Sequence, residues 1–174
     1  MSNSRIVTYT RAGLAELVSA KKQGIQGKIT HCAIGTRSFA PDAALTALPN
    51  EVHRVEISDS EDISPGQIRL AAAFRGEQEY EVCSFGFFLE SGTLLATYSE
   101  PGKMLSYKSA ASSLIQEFTL DISPLPTGSV TVVVGTQNLN ILLGEEVAVL
   151  ATADIDNMSR QVDLLFRVMK LEGK

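Results

Sequence analysis

The run 82–97, VCSFGFFLESGTLLAT, constrains the fold of this chain more than any other segment. Phe85 and Phe87 recur at the two-residue spacing of a β-strand, and Phe88 points to the opposite face. The polar residues 90–93 include a glycine, which tolerates the positive φ that a tight turn often requires. The run therefore predicts a β-hairpin that is apolar on both faces, so both faces need an apolar cover.

An isolated hairpin is only marginally stable in water, so the rest of the chain should pack around this one. The chain has 174 residues, of which 44% are hydrophobic. This is enough for one domain with a sizeable core, alone or with an appendage. The net charge of −5 argues against nucleic acid or an anionic membrane as the main partner.

Targeting and redox signals are few. The first residues lack the apolar core of a signal peptide, and no segment is long and apolar enough to span a bilayer. The sequence therefore predicts synthesis in the cytoplasm without export by a cleaved signal. Cys32 and Cys83 lie far apart in apolar, strand-like surroundings, which predicts two reduced, buried thiols.

Hydrophobic periodicity predicts one helix near the start of the chain and a series of strands after it. Thr10 is a suitable N-cap for a helix that runs to Lys22, and Gly24 suits the position just past its end. Polar composition predicts loops at 59–66 and 103–113, and Asp42 would cap a short helical turn at 41–48. Besides the hairpin, alternating residues predict strands at 28–34, 52–57, 67–75, 114–122 and 130–134.

The end of the chain changes character. A helix capped by Thr152 or Asp154 should run to Leu171. Its apolar residues repeat at steps of three and four, as the a and d positions of a heptad do. These residues are Ile155, Met158, Val162, Leu165 and Met169. A second apolar row consists of Leu164, Val168 and Leu171. The pattern alone leaves two interpretations open, a helix packed on its own domain and a bundle of like helices from several copies.

The sequence thus predicts an α+β fold, a mostly antiparallel β domain with an N-terminal helix and a C-terminal helix. The β-rich domain is assigned to residues 1–150 and the terminal helix to residues 151–174.

The sequence contains no convincing catalytic or metal-binding constellation. His31 and Cys32 are strand neighbours whose side chains point to opposite faces, so they make a poor nucleophile pair. His31 and His53 could share a metal only with carboxylates that the sequence does not place. The acidic residues around Asp59 lack the ligand spacing of a calcium loop and are expected to be a solvated turn. We therefore expect no catalytic residues, no metal and no cofactor.

Five short motifs, taken in order, resemble the N-terminal domain of phage tail-collar fibre proteins. They are Tyr9–Ala15, Ile29–Gly35, Leu48–Arg54, Phe85–Ala96 and Tyr107–Lys108. The last but one is similar to the family's Gly-Leu-Phe followed by Gly-Thr-Leu-Ile-Ala. Phe85 or Ser84 stands where the family usually has a glutamate, and Gly35 is followed by Thr36 rather than by Asp-Gly.

The resemblance implies a structural role in the tails of contractile phages or related injection particles. Such domains attach a trimeric fibre to the baseplate, so the expected partners are two further copies, a baseplate or tail-tip protein, and a distal fibre or receptor-binding protein. The terminal helix would then be an oligomerising, trimeric coiled-coil segment. Tyr9, Arg11 and Leu14 are the candidate docking residues, chosen by chain order. The chain would be a short adaptor or a fragment of a longer fibre protein.

Two other functions compete with this one. A carbohydrate-binding or receptor-binding β module would use exposed aromatic side chains, for which Tyr98 and Tyr107 are the few candidates. A small hydrolase would need a catalytic constellation, which the sequence does not supply. Aromatic residues are only 6% of the chain and tryptophan is absent, which disfavours the sugar-binding alternative.

Overall fold

The computed structural model describes residues 7–136 and 139–173, with residues 139–150 and 153 described by their backbone alone. These residues form an α+β fold of mostly antiparallel strands with one helix near each end, as predicted. The strands are β1 (Thr8–Tyr9), β2 (Gly27–Gly35), β3 (Glu51–Glu56), β4 (Asp59–Ser64), β5 (Gln67–Phe74), β6 (Tyr80–Val82), β7 (Ser84–Leu89), β8 (Leu94–Ser99), β9 (Ser106–Lys108), β10 (Leu114–Asp121) and β11 (Val130–Val132). The helices are α1 (Arg11–Lys22) and α2 (Leu139–Leu171).

The first helix begins and ends where the sequence predicts. The hydroxyl of Thr10 accepts a hydrogen bond from the Gly13 N–H at 3.0 Å, which satisfies one of the free N–H groups of the first turn. Gly24 follows the last turn with a φ of +72°. The helix packs through Leu17, which is completely buried.

Six of the described strands form the larger sheet, in the order β1-β8-β7-β2-β11, with β3 also paired to β2. The predicted hairpin is β7–β8, whose turn is closed by a hydrogen bond from the Leu89 N–H to the Thr93 carbonyl at 2.9 Å. The glycine of that turn, Gly92, has a φ of +88°. The hairpin strands β7 and β8 pair antiparallel with their outer neighbours, β2 and β1. Strand β11, in contrast, lies parallel to β2, with Val130 beside Gly27.

A corner of two buried residues joins the larger sheet to the smaller one, β10-β5-β4. The Ile57 N–H donates to the Thr30 carbonyl of β2 at 2.9 Å. The next N–H, of Ser58, donates to the Ala71 carbonyl of β5 at 2.8 Å. Strands β3 and β4 therefore continue one another across the corner, leaving one sheet and entering the other. Strands β6 and β9 form a separate pair.

The smaller sheet covers one face of the central hairpin. Phe118 of β10 meets the rings of Phe85 and Phe87 edge-on, with centroid separations of 4.8 and 5.0 Å. All three side chains are buried in the main core, to which α1 contributes Leu17. Edge-to-face pairs of this kind stabilise by about 0.5–1.5 kcal/mol beyond the burial of their area.

The segment 36–50 covers the opposite face of the hairpin. Phe88 packs there with Leu48 and two other buried residues, and Phe39 lies against the same cluster. Gly86 allows this close packing, because a β-carbon at that position would lie 3.3 Å from the Leu48 side chain and 3.1 Å from that of Leu94. The predicted apolar cover on both faces of the hairpin is confirmed.

The motif 48–54, one of those that carry the family resemblance, has a packing explanation in this chain. Leu48, near the end of the segment 36–50, is buried against Phe88, and Asn50 adopts a positive φ of +49° at the entry to β3. Glu51 accepts two hydrogen bonds from Arg54, at 2.7 and 2.8 Å, and the guanidinium lies 3.7 Å from the centre of the Phe88 ring. Glu51 and Arg54 therefore cover the outer side of a second core, the cluster around Phe88 and Leu48.

Three local predictions were wrong. The residues expected to form a loop at 59–66 include strand β4, because β5 provides a pairing edge along its length. Its charged side chains are accommodated by its position at the edge of a sheet. The segment 41–48 forms no helical turn; instead Asp42 accepts a hydrogen bond from the Ala44 N–H at 2.9 Å. The expected loop at 103–113 contains the short strand β9.

The terminal helix is much longer than predicted. It begins at Leu139, so neither Thr152 nor Asp154 is its cap, and the residues before Thr152 are helical. The compact units of the chain are Met1–Asn138 and Leu139–Lys174, whereas the sequence placed the division after residue 150. The 33 residues of the helix correspond to a length of about 50 Å.

The close approach of α1 to β8 predicts the effect of one substitution. A β-carbon at Gly13 would lie 2.6 Å from the Leu95 Cα, a backbone atom that cannot rotate away. We expect Gly13→Val to lower the free energy of unfolding by roughly 1–3 kcal/mol, the usual cost of overpacking. Urea denaturation measures this difference.

Ala12→Val is the matched control, because it places the same side chain at an exposed position of the same helix. Its cost should not exceed the difference in helix propensity, at most about 0.7 kcal/mol. Equal destabilisation by the two variants would contradict the packing argument.

Candidate association surfaces

The histidines line one open cleft but do not form a metal site. His31 and His53 border a cleft of about 340 Å³ together with Glu56, a carboxylate that the sequence did not place there. In the part of the chain that the structure describes, no three His, Cys, Asp or Glu side chains are grouped to hold a metal ion. His31 Nδ1 lies 2.8 Å from the Thr30 hydroxyl.

His53 belongs to a polar cluster that ties β3 to the β6–β9 pair. Its Nδ1 lies 2.7 Å from the Tyr80 hydroxyl, and its ring also meets Phe74 edge-on. Lys108 is completely buried, and its ammonium donates to the carbonyls of residues 76, 78 and 109. Burial and the nearby Lys108 charge lower the pKa of His53, and burial raises the pKa of Tyr80 to about 12. The cluster stabilises the fold, since its polar groups form hydrogen bonds with one another and with the backbone.

Cys32 and Cys83 are buried, as predicted, and neither forms a disulfide. Burial raises the pKa of both thiols, and the charge of Glu81 adds to the increase for Cys83. A thiol with a raised pKa is a poor nucleophile at neutral pH.

The three N-terminal docking candidates differ in how much surface they present. Tyr9 is partly buried and donates a hydrogen bond to the Asp121 carbonyl at 2.7 Å. Leu14 is partly buried against the main core. Only Arg11 has an exposed side chain, at the start of α1. Two of the three therefore take part in packing their own domain, and their role in docking stays a prediction.

The two aromatic candidates for sugar binding are not equivalent either. Tyr98 is buried in the main core, so its ring is not available as a stacking platform. Tyr107 is half exposed, and its hydroxyl lies 3.4 Å from a Glu79 carboxylate oxygen. One exposed tyrosine is a much smaller surface than the aromatic platform that the alternative needs.

The most exposed apolar surface of the described residues lies on the terminal helix. All five a and d residues are exposed, from 42% for Met169 to 67% for Met158. At about 100° per residue they fall within an arc of about 80° on one side of the helix. We call this surface the heptad row; it consists of Ile155, Met158, Val162, Leu165 and Met169.

Further large apolar side chains lie outside that row. Leu164, Val168 and Leu171 are 59%, 49% and 88% exposed, and Phe166 is 64% exposed. Leu164 and Leu171 occupy c positions, Val168 a g position and Phe166 an e position of the same heptad. A helix that packs on its own domain with one side usually has apolar residues on that side and polar residues on the other. The apolar residues of this helix cover more of its circumference, which is typical of a helix that contacts other molecules.

No known protein family, no curated protein and no solved structure matches the chain. None of the described helices is both long and apolar enough to cross a membrane.

The lowered pKa of His53 predicts a pH dependence of stability. The folded state binds the His53 proton more weakly than the unfolded chain does, so stability is complete above the unfolded pKa of about 6.5. The contribution of His53 to the free energy of unfolding falls as the pH is lowered through that value toward the folded pKa. We expect the free energy of unfolding, measured in urea at a series of pH values, to lose part of this dependence in His53→Gln. His31→Gln is the control, and a pH profile unchanged by His53→Gln would contradict the assignment.

Proposed function

We propose that this chain is a structural attachment protein of a phage tail or related injection particle, and that it assembles as a homotrimer through its terminal helix. The observation that carries the proposal is the heptad row, whose five large apolar side chains are all exposed in the single chain. The family resemblance supports the particle and the copy number.

The energetics favour assembly that depends on concentration. Burial of a large apolar side chain stabilises by roughly 1.5–3 kcal/mol, and each copy would bury five in the heptad row. Association costs about 4–15 kcal/mol in lost translational and rotational freedom. A trimer buries fifteen such side chains, roughly 22–45 kcal/mol, against roughly 8–30 kcal/mol for the two association steps that form it. At matching ends of these ranges the difference is about 14–15 kcal/mol, or about 7 kcal/mol for each step, which corresponds to dissociation in the micromolar range. The helix extends for nearly five heptads, so it has room for a longer contact than the row alone.

Two features of the helix bear on the number of copies. Ile155 and Val162 at a, with Leu165 at d, are residue types that parallel dimers favour. Phe166 and Val168 at the adjacent e and g positions widen the apolar surface, and a bundle of three helices covers more of these positions than a pair does. The width and the resemblance together favour three copies.

The β domain would make the attachment to the baseplate. Its two cores hold the hairpin from both sides, and eight large apolar side chains of residues 7–136 are exposed outside them. A rigid domain of this kind suits a static joint between two parts of a particle. Arg11 is the exposed member of the proposed docking set and the position at which a charge reversal would be tested first.

Self-association predicts a mass that can be measured directly. Three copies of the 18.7 kDa chain give about 56 kDa and two copies about 37 kDa. Light scattering on the full chain at roughly 50 µM, within the micromolar range expected for such an interface, should give the trimer mass. The double variant Ile155→Asp, Leu165→Asp should give the monomer mass, because buried carboxylates cannot be paired there.

Arg160→Asp with Arg167→Asp is the matched control, since it adds two carboxylates on the opposite side of the same helix. It should keep the wild-type mass. Circular dichroism should show that both variants retain the fold of the β domain. A monomeric wild type would contradict self-association, and a stable dimer would contradict the trimer.

Attachment predicts where the protein is found. In particles purified from a producing culture, quantitative mass spectrometry should detect the chain in a copy number that is a multiple of three. Cryo-electron microscopy of the same particles should place the β domain at the baseplate. Particles that are complete but lack the chain would contradict the proposed function.

A further inference from the structure

We propose that the second apolar row of the terminal helix binds an amphipathic helix of a partner protein whose apolar face is bordered by acidic side chains. The second row consists of Leu164, Val168 and Leu171. This inference rests on the proposed self-assembly, because it concerns the surface that assembly leaves uncovered. It identifies the chemistry of the next protein along the fibre axis.

The second row lies on a different side of the helix from the heptad row. At about 100° per residue its three side chains span an arc of about 60°, centred about 130° from the centre of the heptad row. Leu164 and Leu171 occupy c positions, which face outward in a parallel coiled coil built on a and d. Val168, at g, is the member of the second row that lies nearest to the heptad row, and it makes the apolar surface continuous.

Self-assembly therefore cannot account for the two leucines of this row. A trimer that buries the heptad row leaves Leu164 and Leu171 on its outside, and in the single chain their side chains are 59% and 88% exposed. Exposing two leucines one above the other on a finished bundle is unfavourable by roughly 1.5–3 kcal/mol for each. Paired apolar residues in such a position mark a contact with another molecule.

The charges beside the row indicate what that molecule carries. Arg160, Leu164, Arg167 and Leu171 follow one another at steps of four, three and four, so they form one line along the helix. Both arginines have exposed side chains. An Asp stands four residues before each of them, yet an exposed pair of this spacing contributes only about 0.2–0.5 kcal/mol. The two arginines can therefore give up these weak contacts with their own Asp residues and bind carboxylates of a partner instead.

A helix is the occupant that fits this geometry. Leucines seven residues apart lie about 10 Å from one another along the axis, which matches the i, i+7 spacing of an apolar face on a second helix. An acidic residue beside that face would meet Arg160 or Arg167, and guanidinium–carboxylate contacts give both strength and register. A basic partner helix would be repelled by the same two residues.

The test uses the full chain and two synthetic helical peptides as probes. Both peptides carry leucines at i, i+4, i+7 and i+11; one has glutamates beside this row and the other lysines. Fluorescence anisotropy at roughly 0.1 M salt should show about tenfold tighter binding of the glutamate peptide. Leu164→Gln with Leu171→Gln should weaken that binding about tenfold, while light scattering shows an unchanged oligomer mass. Arg160→Glu with Arg167→Glu should reverse the preference in favour of the lysine peptide.

The outcomes separate this proposal from the previous one. The masses of the wild type and of Ile155→Asp, Leu165→Asp decide self-assembly, whereas the peptide preference decides the second row. Equal binding of the two peptides by the wild type would overturn the proposal, as would a preference that the arginine reversal leaves unchanged. A fall of the Leu164→Gln, Leu171→Gln mass to that of a monomer would assign the row to self-association instead.

Discussion

The whole β domain depends on a hairpin that has no polar face. Strands β7 and β8 are buried along their full length, so each side of the pair must be covered by other parts of the chain. The smaller sheet and α1 cover one side, and the segment 36–50 covers the other. This requirement explains why the segment 36–50, which has neither helix nor strand, is bonded to two of the elements around it: the Phe39 N–H donates to the Ser99 hydroxyl of β8, and the Ala43 carbonyl accepts from the Arg11 N–H of α1. It also explains two glycines. A β-carbon at Gly35 would lie 2.7 Å from the Pro49 carbonyl oxygen of that segment, which is too close, and one at Gly86 would lie in tight contact, 3.3 Å from the Leu48 side chain.

The two units of the chain treat their apolar side chains in opposite ways. The β domain buries Phe85, Phe87 and Phe118 in its main core. The contact between His53 of β3 and Tyr80 of β6 links two of its strands. The terminal helix exposes apolar residues on two of its sides. In the function that we propose, the β domain would keep its shape at the attachment point, and the exposed apolar side chains of the helix would supply the free energy of assembly.

The sequence predicted the elements whose signals are local, and it missed the acidic strand β4, which depends on a partner strand, and the true start of α2. The Thr10 cap, the hairpin and the two-sided burial of its phenylalanines follow from spacing and turn chemistry, and all were confirmed. Strand β4 was missed because acidic residues disfavour a strand, and only pairing with β5 overrides that preference. The start of α2 was placed too late because Asp154 and Thr152 resemble caps, although both lie well inside the helix. No spacing rule could have shown that Glu56 borders the same cleft as the two histidines, since the antiparallel pairing of β2 with β3 places Glu56 opposite His31.

The parallel pairing of β11 determines how the domain would carry mechanical load. Strand β11 is the last strand before the terminal helix, and it lies along β2, which is also paired to β7 and β3. A pull directed along β11 shears its hydrogen bonds with β2 together, whereas a pull across the sheet would open them one after another. In the proposed assembly, tension from a fibre would thus be shared by several bonds at once and passed directly to β2, which pairs with three strands of the larger sheet.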